Sequence, residues 1–163
     1  MKDFDWTSFT KRIAIRSTLN KMYDAWTKAD VLESWFLKKV TFIRDGQPID
    51  PEASVVSNDE YKWVWYLYDD EMAGEIKQAN GKDFIQFSFE GSSLVDVNLE
   101  QVDDYVVVTL RHYNIPTDDQ SKQFVRLGCT NGWTFYLINL KSVFEGQFDL
   151  RNKDIKLGPM INN

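Results

Sequence analysis

The sequence predicts an α+β fold in which a curved antiparallel sheet wraps around a long C-terminal helix, with two short helices after the first strand. Between about residues 40 and 113, apolar and polar side chains alternate with a period of two, as in strands that bury one face. From about Ser121 to Gly146 the apolar side chains recur at helical spacing. A one-sided sheet must cover its inner face, and this helix is the only late element long enough to do so.

The length and the chain's uniform composition predict one domain. The chain has 163 residues, and no Pro/Gly/Ser-rich linker divides it. We therefore expect a single domain over residues 1–163.

The first part of the chain is predicted to form a strand and then the two short helices. Apolar residues alternate along a strand over residues 4–16. Ser17 or Thr18 suits the N-cap of the first helix, which is predicted over about 18–28. The spacing of Asp30 and Glu33 is that of a capping box, which predicts that a second helix begins there.

Six further strands follow in the alternating region. They are predicted over Val40–Arg44, Tyr61–Tyr68, Gly74–Ala79, Phe84–Glu90, Leu94–Gln101 and Tyr105–Tyr113. Asp45-Gly46 is a turn signal, and Asn80-Gly81 is typical of a type I′ hairpin. Pro48 and Pro51 predict a loop.

The final helix carries one apolar stripe. Its members are Trp133, Leu137, Leu140 and Phe144. Asn139 is predicted to lie away from that stripe. Gly128 and Gly132 weaken the front half of the helix, which favours a kink or a late start near Gly132. Glycine just before Trp133 would let a strand or the first short helix approach closely, and the tail after Phe148 is predicted to be irregular.

Composition excludes several classes of function. The net charge is −6 and Lys and Arg are not clustered, so no nucleic acid is expected as a partner. The single cysteine, Cys129, cannot form an internal disulfide or a cysteine-based zinc site, and one histidine predicts no zinc site either. No apolar run is long enough for a membrane span or a signal peptide, so we expect a cytoplasmic protein that needs no cofactor.

An aromatic share of 15%, with six tryptophans, predicts either rings that line a pocket or rings that fill the core. The predicted ligand-binding residues are Trp35, Trp63, Trp65, Phe87, Val97, Leu110, His112, Trp133, Leu137 and Leu140. We expect Cys129 to be buried as a small apolar side chain. The acidic runs at 69–71, 103–104 and 118–119 are expected to be solvated turns.

His112 is the only histidine, and the alternation places it on the inner face near a strand end. It could act as a general base, or it could be held by a hydrogen bond as a structural residue. No Ser, Cys or Asp lies at a spacing that indicates a catalytic triad.

Three segments together resemble one superfamily. They are the N-terminal strand with two short helices ending in Trp35-Phe36, the strand ending in Leu-Arg-His at 110–112, and Gly132-Trp133 followed by Leu137, Leu140 and Lys141. The pattern resembles bacterial homologues of the activator of heat shock protein 90 ATPase, within the START/birch-pollen-allergen-like (SRPBCC) superfamily. The resemblance implies a helix-grip fold around a hydrophobic cavity. Eukaryotic activators have a further N-terminal domain, which we do not expect here.

Three functions remain open at this point. The first is a non-catalytic module whose pocket binds a lipid-like or other hydrophobic small molecule. The second, implied by the resemblance alone, is a co-chaperone-like protein that binds a chaperone. The third is an enzyme that uses His112 with Tyr136, or with Arg111 or Tyr113, although alternation places those last two on the opposite face. Either a monomer or a homodimer is compatible with the sequence.

Overall fold

Eight strands and a long C-terminal helix make up the computed structural model, which describes residues 3–163. The strands are β1 (Phe9–Arg16), β2 (Lys39–Arg44), β3 (Gln47–Pro48), β4 (Glu60–Val64), β5 (Glu71–Ala79), β6 (Phe84–Ser88), β7 (Leu94–Val102) and β8 (Tyr105–Tyr113). The helices are α1 (Leu19–Thr27), α2 (Ala29–Trp35) and α3 (Cys129–Gly146), and a π-helical segment, Ser121–Gly128, leads directly into α3.

The strands form one antiparallel sheet in the order β1-β8-β7-β6-β5-β4-β2-β3. Alternate residues of β8 are buried, including Val106, Val108 and Leu110, and β8 pairs along its whole length with both β1 and β7. The helix covers the inner face, and Lys141 Nζ on α3 donates to the Ala14 carbonyl at 2.7 Å. The predicted helix-grip architecture is confirmed, and the bounds of β8 are those predicted.

The two short helices begin differently from one another. Thr18 is the N-cap of α1, and its Oγ1 accepts a hydrogen bond from Lys21 N at 3.4 Å. The capping box predicted for α2 is wrong, because Lys28 is its N-cap and makes no side-chain hydrogen bond there. Asp30 instead accepts from its neighbour Val31 N, and Glu33 accepts from Val40 N, which joins α2 to β2.

Three predictions about strands and turns need correction. The strand predicted over Tyr61–Tyr68 ends at Val64, and Leu67 takes a left-handed φ of 66° that strand pairing does not allow. Pro48 lies in the short edge strand β3 rather than in a loop, since an edge position needs no N–H from proline. At Asn80-Gly81 only the glycine has a positive φ, so the turn is not type I′; Asn80 Oδ1 instead accepts three backbone N–H groups.

The hydrogen bonding of the final helix changes from the π-helical to the α-helical pattern after Gly128, not near Gly132. Trp133, Leu137 and Leu140 are buried as predicted. Asn139, which is not part of that stripe, is nevertheless fully buried: it donates to Trp35 O at 2.7 Å and accepts from Leu150 N at 2.7 Å. No described atom outside the local helix backbone lies within 4 Å of a Cβ built on Gly132, so the close approach expected there is not found.

The tail after α3 has no helix or strand, as predicted, yet it is firmly attached. Arg151 is buried, and its guanidinium donates to Leu37 O at 3.0 Å and Glu33 O at 2.9 Å while pairing with Asp149 at 2.7 Å. These bonds hold the tail against the end of α2 and bring the last residues of the chain beside α3.

Candidate ligand-binding cleft

An open cleft of about 1060 Å³ lies beside the front half of the C-terminal helix. Its walls come from the π-helical segment and α3, from the chain between β4 and β5, from the β6–β7 turn and from the last residues. The volume is that of a site for a drug-sized molecule, for which typical values are about 300–1000 Å³.

Eight of the residues that line the cleft are aromatic. The rings that line it are Phe36, Trp65, Tyr68, Phe89, Phe124, Trp133, Phe135 and Tyr136. Trp133 lies at the centre of this group, with its ring centroid 5.1 Å from those of both Phe36 and Phe89. Trp65 is 5.6 Å from Phe36 on another side. Such spacing is typical of rings in mutual contact, so the rings hold one another in place.

The strand ends position two of these rings. Trp65 is the first residue after β4, where pairing stops, and it is only half-buried. Phe89 is the first residue after β6, and its backbone N–H donates to Ser93 O at 2.9 Å across the turn. Both continue the inward alternation of their strands, and both therefore reach the cleft from the inner face of the sheet.

Two of the ten predicted ligand-binding residues, Trp65 and Trp133, line this cleft. The other eight are buried and are not among its lining residues: Trp35, Trp63, Phe87, Val97, Leu110, His112, Leu137 and Leu140. Trp63 illustrates the difference, because its ring stacks on Tyr61 with 3.9 Å between centroids.

Sequence reasoning missed several lining residues. Phe36, Phe89 and Tyr136 are aromatic residues at inward positions, so their periodicity was a usable signal. Met160 and Ile161 gave no signal, because they reach the cleft only through the path of the irregular tail. That path is fixed by Tyr136 Oη, which donates to Asn163 O at 2.7 Å.

His112 is fully buried behind Phe89, whose ring centroid is 5.6 Å from the imidazole centroid. Its Nε2 lies 2.7 Å from Ser93 Oγ, and the Ser93 hydroxyl donates to the Phe89 carbonyl. The hydroxyl must then accept from Nε2–H, which leaves Nδ1 unprotonated and, among the described residues, without a partner. Burial and, secondly, the positive charge of Arg126 lower the pKa of His112 to about 4.

The charges at the cleft are negative. Asp70, Glu71 and Glu90 line it, and burial raises the pKa of Glu90. Cys129, which also lines the cleft, is partly buried, and burial and the Glu90 charge raise the pKa of its thiol to about 12. The thiol is therefore protonated at neutral pH and unreactive as a nucleophile.

Residues 3–163 contain neither a metal-binding cluster nor a membrane-spanning helix. No three His, Cys, Asp or Glu side chains in that range come together in a way that could hold a metal ion. No helix in the same range has both the length and the apolar character needed to cross a bilayer.

Solved structures share this fold at low sequence identity. The Aha1 dimer from Colwellia psychrerythraea is 18% identical, with a TM-score of 0.65 over 85% of this chain and 96% of that one. A protein from Staphylococcus saprophyticus is 14% identical, with a TM-score of 0.68 over 88% and 96% of the two chains. An Hsp90 activator from Plasmodium falciparum is 20% identical, with a TM-score of 0.62 over 86% and 96%.

Sequence comparison identifies the family. No curated protein matches the chain in sequence. Residues 16–145 match the profile of the family described as activator of Hsp90 ATPase homolog 1-like protein. That match spans the chain from the end of β1 almost to the end of α3 and so includes most of the cleft. The chain therefore belongs to the activator of Hsp90 ATPase homolog 1-like family.

Proposed function

We propose that this protein binds an apolar small molecule in the cleft and does not act on it chemically. The observation that carries the proposal is the cleft itself, with a volume of about 1060 Å³ and eight aromatic side chains in its wall. Apolar clefts with a few polar groups are the usual form of small-molecule sites. Burial of a ligand against these rings would stabilise the complex by about 25 cal/mol for each Å² of apolar surface removed from water.

The environment of His112 supports binding rather than catalysis. His112 and Ser93 are both fully buried, and neither lines the cleft. The Ser93 hydroxyl already donates to the Phe89 carbonyl, so its proton is not available to the imidazole as in a nucleophile–base pair. We assign this pair the structural role of holding the β6–β7 turn.

Native mass spectrometry of the purified protein tests the proposal directly, since a retained ligand adds a defined mass. An apolar fluorescent dye provides the second measurement. Phe124 is 63% exposed and lines the cleft, whereas Phe148 is 65% exposed and lies outside it. We expect Phe124→Ala to weaken dye binding and Phe148→Ala to leave it unchanged. Equal effects of the two variants, together with no retained mass, would rule the proposal out.

A second candidate function is the binding of an Hsp90-type chaperone. The family description and the Plasmodium structure, named as an Hsp90 activator, favour it. Phe124, Ile138 and Ile161 are exposed at the cleft and offer an apolar contact surface. The test is the ATPase rate of Hsp90 with and without this protein. A rate increase that Phe124→Ala abolishes and Phe148→Ala retains would support this function, and an unchanged rate would exclude it.

The assembly state is a separate proposal. The Aha1 protein from Colwellia psychrerythraea was solved as a dimer. We propose that this chain also forms a homodimer, and light scattering during size-exclusion chromatography would show a single mass near twice 19.1 kDa. A mass near 19.1 kDa at all concentrations would refute it.

A further inference from the structure

The charged side chains that line the cleft are all negative. Three carboxylates line it, and none of the described lining residues is Lys, Arg or His. Glu71 has a partner outside the cleft, because Lys62 Nζ lies 3.4 Å from its carboxylate. Asp70 and Glu90 form no ion pair within residues 3–163. Arg126, on the π-helical segment, does not line the cleft. Its guanidinium lies over the Phe9 ring, 5.2 Å from the centroid, and donates to Asp5 O.

Glu90 is held at the cleft by a fixed turn. Its φ of 51° and the φ of 77° at Gly91 are left-handed, which turns the chain sharply at the cleft. Ser93 closes the turn through its bonds to Phe89, and it is itself bonded to the buried His112. The Glu90 carboxylate is accessible from the cleft, and closely surrounding protein raises its pKa. A positive charge brought beside it would therefore relieve an unfavourable, partly desolvated negative charge.

The aromatic lining of the cleft is also suited to a cation. Phe89 and Trp133 are in contact, and Trp65 lies 6.3 Å from Phe89. The faces of aromatic rings carry a partial negative charge that attracts ammonium groups, and tryptophan is the strongest of the three ring types.

The indole N–H of Trp133 does not bear on the ligand. It has no hydrogen-bond partner in the described chain, but the same is true of the indoles of Trp26 and Trp63, which do not line the cleft.

We infer that the ligand of the cleft is an apolar molecule that carries an ammonium group, placed beside Glu90; this rests on the proposed function. Its apolar part occupies the remaining aromatic wall. Fatty acids and other apolar anions are disfavoured, because their carboxylate would face Asp70 and Glu90 without a counter-charge.

Calorimetry with three probes that share a decyl chain tests the inference: decyltrimethylammonium, 1-decanol and decyl sulfate. The two ionic probes are used below their micellar concentrations and 1-decanol below its solubility. We expect the cation to bind most tightly and the sulfate most weakly. Glu90→Gln should weaken binding of the cation by up to about five-fold, as expected for a partly solvated charge pair, and leave decanol binding unchanged. Glu100→Gln is the matched control, because it removes the same charge from an exposed position on β7 outside the cleft.

The outcomes separate the two proposals. If decanol binds as tightly as the cation, or if Glu90→Gln and Glu100→Gln have equal effects, the inference about charge is wrong while the binding function stands. If none of the three probes binds, the proposed function fails and the inference fails with it.

Discussion

Acidification tests how completely His112 is buried. The side chain has no exposed surface and lies between the rings of Phe9 and Phe89, at centroid distances of 5.2 and 5.6 Å. Its one hydrogen bond is to Ser93, and that bond already uses the Nε2 proton. A second proton on Nδ1 would place a positive charge among apolar groups and near the guanidinium of Arg126, so the folded protein resists protonation.

The size and sign of the effect follow from the pKa of His112. Burial first, and the Arg126 charge second, lower this pKa from 6.5 to about 4 in the folded protein. Between pH 6.5 and 4 the unfolded chain therefore binds more protons than the folded one, and the free energy of unfolding falls as the pH falls. At 1.36 kcal/mol for each pKa unit, the free energy of unfolding falls by roughly 3 kcal/mol between pH 6.5 and pH 4. The contribution of neutral His112 to stability is fully present above pH 6.5.

Two measurements check this prediction. Urea denaturation of the wild type and of His112→Gln between pH 4 and pH 7 isolates the histidine, because the carboxylates titrate in both proteins. We expect the stability difference between them to change by about 3 kcal/mol across this range. The second measurement uses the imidazole C–H resonances in an NMR titration of the wild type, which are unambiguous because the chain has one histidine. Parallel pH profiles, or an imidazole that titrates near 6.5, would show that His112 is not buried as described.

Urea denaturation also checks three packing predictions. Trp133→Ala should lower the free energy of unfolding by about 3–5 kcal/mol, since the ring is 2% exposed and contacts several others; wild-type stability would contradict this. Gly74→Ala should lower the free energy of unfolding by about 1–3 kcal/mol, because the new Cβ would collide with the Tyr61 ring. Gly132→Ala should raise it by up to about 1 kcal/mol, because its Cβ meets no other atom and alanine favours a helix. Equal effects of the two variants would refute the steric argument. Asn139→Leu should lower the free energy of unfolding by about 2–4 kcal/mol, because the buried Trp35 carbonyl and the partly buried Leu150 N–H lose their bonds. A neutral Asn139→Leu would contradict this.

The parts of the fold that local pattern determines were predictable from sequence. The strand over Tyr105–Tyr113 is an example, because its alternation is uninterrupted and turn residues end it on both sides. Asn139 shows why other features were not predictable. Its burial depends on Trp35 and Leu150, which belong to α2 and to the irregular tail, and no local periodicity reports such contacts. The π-helical segment likewise arises from hydrogen-bond spacing that composition does not reveal.

The candidate site illustrates a more general limit, which the pair Trp63 and Trp65 makes clear. The two residues share the same alternation, and the sequence predicts the same role for both. Pairing with the neighbouring strands holds Trp63 against the core, where it is 2% exposed, whereas Val64 is the last paired residue and Trp65 lies beyond it. Phe89 occupies the same position after Ser88 at the end of β6. A ring within the sheet has both faces covered by its neighbours, and a ring just past the last paired residue can offer a face to a ligand. The sheet side of the cleft is therefore built where strands end, and strand ends are the least predictable feature of a sequence.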